Sequence, residues 1–156
     1  PADNMDPSSH LKEARKASKT AIFLIDVAMT RAKDPHLLIS AIKQLYTGMD
    51  NAITAALIIT RKLGHIPNVP TIDRYRSDVF QEVLVKEHGF NEEYPAAFRT
   101  VTKLHHAIED KHIDVDANSL SLIISTEKGS VSVSRGQLKE LSKLLVALVR
   151  DTDGLI

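Results

Sequence analysis

Arg99, His105 and His106 fall within one short stretch, RTVTKLHHAIEDKH, that runs from Arg99 to His112. An arginine grips a phosphate through its planar fork, and an imidazole nearby exchanges a proton close to neutral pH. Together they could support cleavage of RNA by its own 2′-hydroxyl, with no metal involved. On a helix only one of the two adjacent histidines easily shares the face of Arg99, and His106 is read as the solvent-facing one. The plainer account of Arg99 is a surface arginine whose stem covers apolar neighbours, and His105 and His106 have a structural reading of the same kind.

The same stretch offers a second chemistry. If it is helical, His105, Glu109 and His112 stand four and three residues apart, with His106 and Asp110 as a neighbouring row. Two imidazoles and a carboxylate on one face could hold a divalent metal. Glu109-x-x-His112 also has the spacing of di-iron carboxylate bundles, but those need a second such motif and further inward glutamates, which this sequence lacks. The ligand shell is therefore incomplete and no metal or other cofactor is expected. Elsewhere, Tyr46 and Asp50 are one turn apart and could line a polar pocket, although a tyrosine is more often a core ring with its hydroxyl at the edge. Arg61 and Lys62 suit the negative end of a helix. Arg74 and Arg76, around Tyr75, could meet phosphate, but a charged, exposed first turn is the simpler reading.

These residues need helices to position them. The longest runs from Asp34 to Pro67, with Asp34 as N-cap, Pro35 in the first helical position, and Gly64 and Pro67 ending it. That is about seven turns at ~3.6 residues per turn. Leu38, Ile42, Leu45, Met49, Ala52, Ala56 and Ile59 form an apolar stripe, and Leu37, Ala41, Ile53, Leu57 and Ile58 widen it beyond one face. Such a helix must be covered on several sides, within a bundle or by a second subunit. An alanine-rich helix starting at Asp6-Pro7 precedes it as the other half of an antiparallel hairpin. A third helix fits Thr71 to His88, stopped by Gly89, and a fourth opens at Asn91 and continues to about Lys111. Leu120, Leu122 and Ile124, then Val131 and Val133, alternate with their neighbours around Glu127-Lys128-Gly129, which predicts a β-hairpin over 119–134. A hairpin alone is marginal, so its apolar face should lie on the helices or its edge should pair with another strand. Ser134 and Gln137 match a capping box for a last helix over 135–150.

Composition narrows the class. A chain of 156 residues can bury one sizeable core, so residues 1–156 are read as a single helical domain. Residues 1–5 are read as a disordered or appended tail. Twenty basic and twenty acidic side chains cancel, leaving no global field toward nucleic acid or an anionic membrane, though a local basic patch is compatible with this balance. The absence of cysteine excludes disulfides, thiol catalysis and thiolate metal sites. No apolar run approaches the ~20 residues of a membrane span. PADNMDPSSH lacks the apolar centre of a signal peptide, and a cytoplasmic location is expected.

The second helix LYTGMDNAITAALIITRKLGHIP, its antiparallel partner, and Arg99-x5-His105 or Arg99-x6-His106 resemble the HEPN superfamily of small helical proteins over residues 8–112. The resemblance implies a dimer. It further implies either metal-independent RNA cleavage through Arg99 with His105 or His106, or a non-catalytic module that binds a nucleotide or protein. Thr100 stands where the catalytic members commonly carry a polar Asn, Asp or His, and the hairpin with its last helix lies beyond the minimal unit. The sequence thus predicts a mainly α antiparallel bundle of four or five principal helices with a C-terminal β-hairpin. The leading function is a HEPN-like regulatory or binding module acting as a homodimer. The alternatives are a metal-independent endoribonuclease and a structural subunit of a larger assembly.

Overall fold

A stretch of helix apolar on every side needs protein on every side, and α3 (His36–Lys62) has it along its second half: Ala52 through Thr60 are buried without a break. The computed structural model describes residues 6–116 and 118–156. The expectation for residues 1–5 lies outside the described residues. Before α3 comes α1 (Pro7–Phe23), capped by the Asp6 carboxylate, which accepts from the Ser8 amide at 3.0 Å. It continues through a π-helical turn, Leu24–Ala28, into the short α2 (Met29–Ala32). Ala14, Ala17 and Ala21 are buried, so the small side chains let α1 lie close along α3. Helix α3 starts one residue later than the pattern suggests, with Asp34 accepting from the His36 amide at 3.0 Å. At its far end Gly64 takes a left-handed φ of 82°. The His65 amide then reaches the Thr60 carbonyl at 3.0 Å and the Gly64 amide the Arg61 carbonyl at 2.9 Å, which closes the helix as a Schellman turn.

The remaining elements sheath α3. Helix α4 (Asp73–Phe80) passes into a second π-helical turn, Gln81–Val85, shorter at both ends than the expected span of 71–88. Helix α5 (Glu93–Glu109) has Asn91 accepting from the Glu93 amide at 2.9 Å, and carries Pro95 in its first turn. It stops before the expected Lys111 because Lys111 is left-handed, with the His112 amide bonded back to the Ala107 carbonyl at 2.9 Å. Helix α6 (Arg135–Asp153) opens with the predicted capping box of Ser134 and Gln137 and runs three residues past the expected end. Arg135 Nε donates to the carbonyl of Ile25 within the first π turn at 2.6 Å. Tyr94 is buried and donates to Asp151 at 2.6 Å, tying α5 to α6. Burial and that carboxylate push its hydroxyl up to about 12.

The C-terminal β structure is larger than a hairpin. β1 (Ile113–Asp116), β2 (Ser121–Thr126) and β3 (Gly129–Ser134) form an antiparallel sheet in that order. Four residues directly after a polar helix end are too few to show an alternation, which is why β1 was not expected. Leu120, counted with the first strand from its pattern, has φ 50° and belongs to the turn before β2. Opposed pairs Val115–Leu122 and Leu122–Val133 place apolar side chains on one face, and Leu122, Ile124 and Val133 join the helical core. Both routes to a stable hairpin, a third strand and burial on helices, are therefore used. Among the described residues no helix is long and apolar enough to cross a membrane.

At Gly48 α3 lies close against both α6 and α1. A Cβ there would lie 2.6 Å from Leu145 Cδ2 and 3.4 Å from Ala17 Cβ, and Leu145 is fully buried with little room to swing. Gly48→Val should cost about 1–3 kcal/mol by overpacking. This is measurable as a melting temperature lowered by roughly 2–4 °C per kcal/mol. A variant melting at or above the parent would show that the α3–α6 contact has slack.

Candidate functional site

A charged side chain leaves water only with partners, and Arg76 is buried among several. Its guanidinium donates to Asp50 on α3 and to Asp73 on its own helix, and Nη1 reaches the Thr71 carbonyl at 2.7 Å. Tyr46 donates its hydroxyl to Asp73 Oδ2 at 2.8 Å. The charged first turn of α4 is thus not the solvated face expected for Arg76; that residue turns inward and locks α4 onto α3. Burial raises the Asp50 carboxyl above its ordinary value and Asp73 adds to the rise, while Arg76 opposes it. Burial, followed by the bond to Asp73, likewise pushes the Tyr46 hydroxyl up.

Tyr46 also divides the two histidines. The His105 ring stacks on it at 4.0 Å with the planes 6° apart, and Phe98 follows on at 6.3 Å. His105 Nε2 meets Glu109 at 2.9 Å, and its Nδ1 is buried without a hydrogen-bond partner. His112 does not complete the expected face with His105 and Glu109. Helix α5 ends at Glu109 and the left-handed Lys111 takes His112 out of helical register. Among the described residues no three His, Asp or Glu side chains gather in a way that could hold a metal.

Arg99 and His106 meet in a cleft of about 650 Å³ between α4 and α5. The two residues are seven apart, about two turns of helix, so they share a face. Thr102 and Lys103 lie between them on that face, and Asp73, Arg74, Ser77 and Asp78 oppose them from α4. Arg99 Nη1 donates to the buried Ser77 hydroxyl at 2.8 Å, which fixes one edge of its fork. His106 Nε2 stands 3.8 Å from Asp73 Oδ2. Thr102 Oγ1 is buried without a hydrogen-bond partner. Ile72 supplies an exposed apolar wall, and the buried Phe98 ring lies behind the cleft floor.

Charge in this cleft is unevenly balanced. Arg74, Arg99 and Lys103 stand against Asp73 and Asp78, and Asp73 is partly offset by Arg76, which it shares with Asp50. An anion with an apolar portion suits those walls: the guanidinium can take a phosphate in a fork and the exposed Ile72 side chain an apolar group. Of the three residues singled out by spacing, Arg99 and His106 share the cleft, whereas His105 belongs to the Tyr46 stack. Lys103 and Thr102 were legible as the intervening members of an i, i+3/i+4, i+7 face. The α4 side had no such signal, since it depends on how α4 packs. The chain matches no known protein family, curated protein or solved structure with which it was compared.

Arg76→Met would leave Asp50 and Asp73 facing one another with no cation between. The Asp50 side chain is 31% exposed and keeps some water, so the expected cost at pH 7 is about 2–3 kcal/mol, below that of a fully buried pair. A carboxyl whose pKa is raised by folding stabilises below its unfolded pKa, and that contribution disappears as pH rises through the folded value. Asp50 is raised in the parent and should be raised further in the variant. The stability gap between the two should therefore narrow as pH falls toward 4. Urea denaturation at both pH values measures it; a gap that widens would refute the assignment.

Proposed function

We propose that this chain is a HEPN-like helical binding module that takes a phosphorylated ligand of nucleotide type in the α4–α5 cleft. The observation that carries the reading is the convergence of Arg99, Lys103 and His106 from α5 with Arg74 from α4 around one apolar-walled cavity. Arg99 would hold the phosphate, with its fork steadied by Ser77, and Lys103 and Arg74 would add charge at the rim. The buried hydroxyl of Thr102 would gain a partner from the ligand. The exposed Ile72 would face the base.

The second reading is metal-independent endoribonuclease activity, favoured by His106 sharing the cleft with Arg99 and standing beside the Asp73 carboxylate. In it Arg99 orients the scissile phosphate and His106, rather than His105, exchanges the proton with the 2′-hydroxyl or the leaving oxygen. The reading also calls for a dimer that joins two such clefts. Sequence suggested the dimer through the wide apolar surfaces of α3 and of the last helix, α6; within one chain α1, α4, α5 and α6 all pack on α3. A second subunit must therefore meet other surfaces, such as those carrying the exposed Phe23 and Val146.

Equilibrium dialysis with labelled ATP and GTP tests the module. The parent should bind at least one of them, and Arg99→Ala should weaken binding tenfold or more while retaining the parent's circular dichroism. Equal binding by the two proteins, or none by the parent, would defeat the nucleotide proposal. Labelled single-stranded RNA in excess chelator tests the enzyme. Cleavage lost in both Arg99→Ala and His106→Ala but kept in His105→Ala is the expected pattern for catalysis in this cleft, and no cleavage by the parent would set the nuclease aside.

A further inference from the structure

Away from the cleft, two helix ends bring a pair of imidazoles together. His65 follows the Schellman turn of α3, and His88 follows the π turn that extends α4. Each is held by a left-handed glycine beside it, Gly64 with φ 82° and Gly89 with φ 72°. The backbone on both sides is bonded back into its helix, through the His65 amide to the Thr60 carbonyl at 3.0 Å and the Phe90 amide to the Leu84 carbonyl at 2.9 Å. His65 Nδ1 and His88 Nε2 lie 3.3 Å apart, with ring centroids at 5.3 Å and planes 25° apart.

That separation is long for a hydrogen bond between two ring nitrogens. It matches another geometry closely. Two nitrogens each about 2.0–2.1 Å from a tetrahedral ion stand roughly 3.3–3.4 Å apart. Placing each ring centre a further ~1.1 Å behind its nitrogen puts the two centres about 5.2 Å apart in the same tetrahedral arrangement. We propose that His65 and His88 form a two-imidazole site for a borderline divalent transition metal, Zn²⁺, Ni²⁺ or Cu²⁺. Water completes the shell, since the pair lies at the surface and no third His, Asp or Glu gathers with it among the described residues. Imidazole nitrogens select these ions over Mg²⁺ and Ca²⁺, which prefer oxygen. Bound metal would bridge the end of α3 to the end of the α4 segment and so brace the helix that forms one wall of the cleft. This inference is independent of what the cleft binds.

Calorimetric titration of chelator-treated protein with ZnCl₂ tests it, alongside melting temperatures with and without the ion. One equivalent should bind per chain and raise the melting temperature, with no such response to MgCl₂. His65→Gln and His88→Gln should each weaken binding at least tenfold, and His112→Gln, outside the pair, should leave it unchanged. Circular dichroism and the metal-free melting temperature of each variant separate lost ligation from lost folding. No binding by the parent at millimolar Zn²⁺, or equal binding by properly folded His65→Gln and His88→Gln, would overturn the site.

Discussion

The enclosure of α3 is the constraint to which the other elements answer. A helix with nine consecutive buried residues, Ala52 to Thr60, has no face to give to water. Its stability comes from packing and not from propensity, because Ile53, Thr54, Ile58, Ile59 and Thr60 are β-branched and only moderate helix formers. The sheath is assembled from distant parts of the sequence. Helix α1 arrives through a tight link, α4 and α5 also pack on α3, and α6, which follows the sheet in the chain, closes against Gly48. The sheet then caps the helical layer with Leu122, Ile124 and Val133.

Within that sheath α4 is held at its far end by the buried Phe80 ring and at its first turn by polar contacts. Its first turn offers Asp73 and Arg76 to α3, where Asp50 and Tyr46 answer them. The cluster is specific in a way that apolar packing is not, since moving α4 by one turn would leave buried charges without partners. The same contacts decide what the cleft offers. By pairing with Asp73, Arg76 offsets part of a negative charge on the cleft wall, and by turning inward it gives up its own place on the rim. The exposed Arg74 and the buried Ser77 remain on the α4 side, opposite Arg99 and Lys103. The ion cluster that secures the helix thereby also sets the polarity of the cavity beside it.

The helical architecture was legible because its signals are local. Asp6-Pro7, Asp34-Pro35, Gly64 and Ser134-x-x-Gln137 declare helix ends through short-range hydrogen bonding, and the apolar breadth of α3 declares its burial. The site was legible only along a single helix. Arg99 and His106 lie on one face of α5 whatever surrounds it, so their spacing sufficed to pair them. The choice between His105 and His106 depended on Tyr46, some sixty residues earlier, whose ring takes up His105. The inward turn of Arg76 depended on Asp50 in the same way. His65 and His88 come together through two unrelated helix ends and carry no periodic signal at all. Strand β1 was missed for want of length, and it is recognisable only once β2 is available to pair with it.

The complete burial of the middle of α3 sets how this protein can change over generations. From Ala52 to Thr60 any altered side chain meets a neighbour from α1, α4, α5 or α6, so acceptable replacements are confined to close matches of volume or to paired changes across a contact. Outward positions of α4 and α5 carry no such restriction. Arg74, Asp78 and Lys103 can be exchanged without disturbing the frame. Descendants of this chain should therefore diverge first along the walls of the cleft, while the buried helix behind it remains almost unchanged.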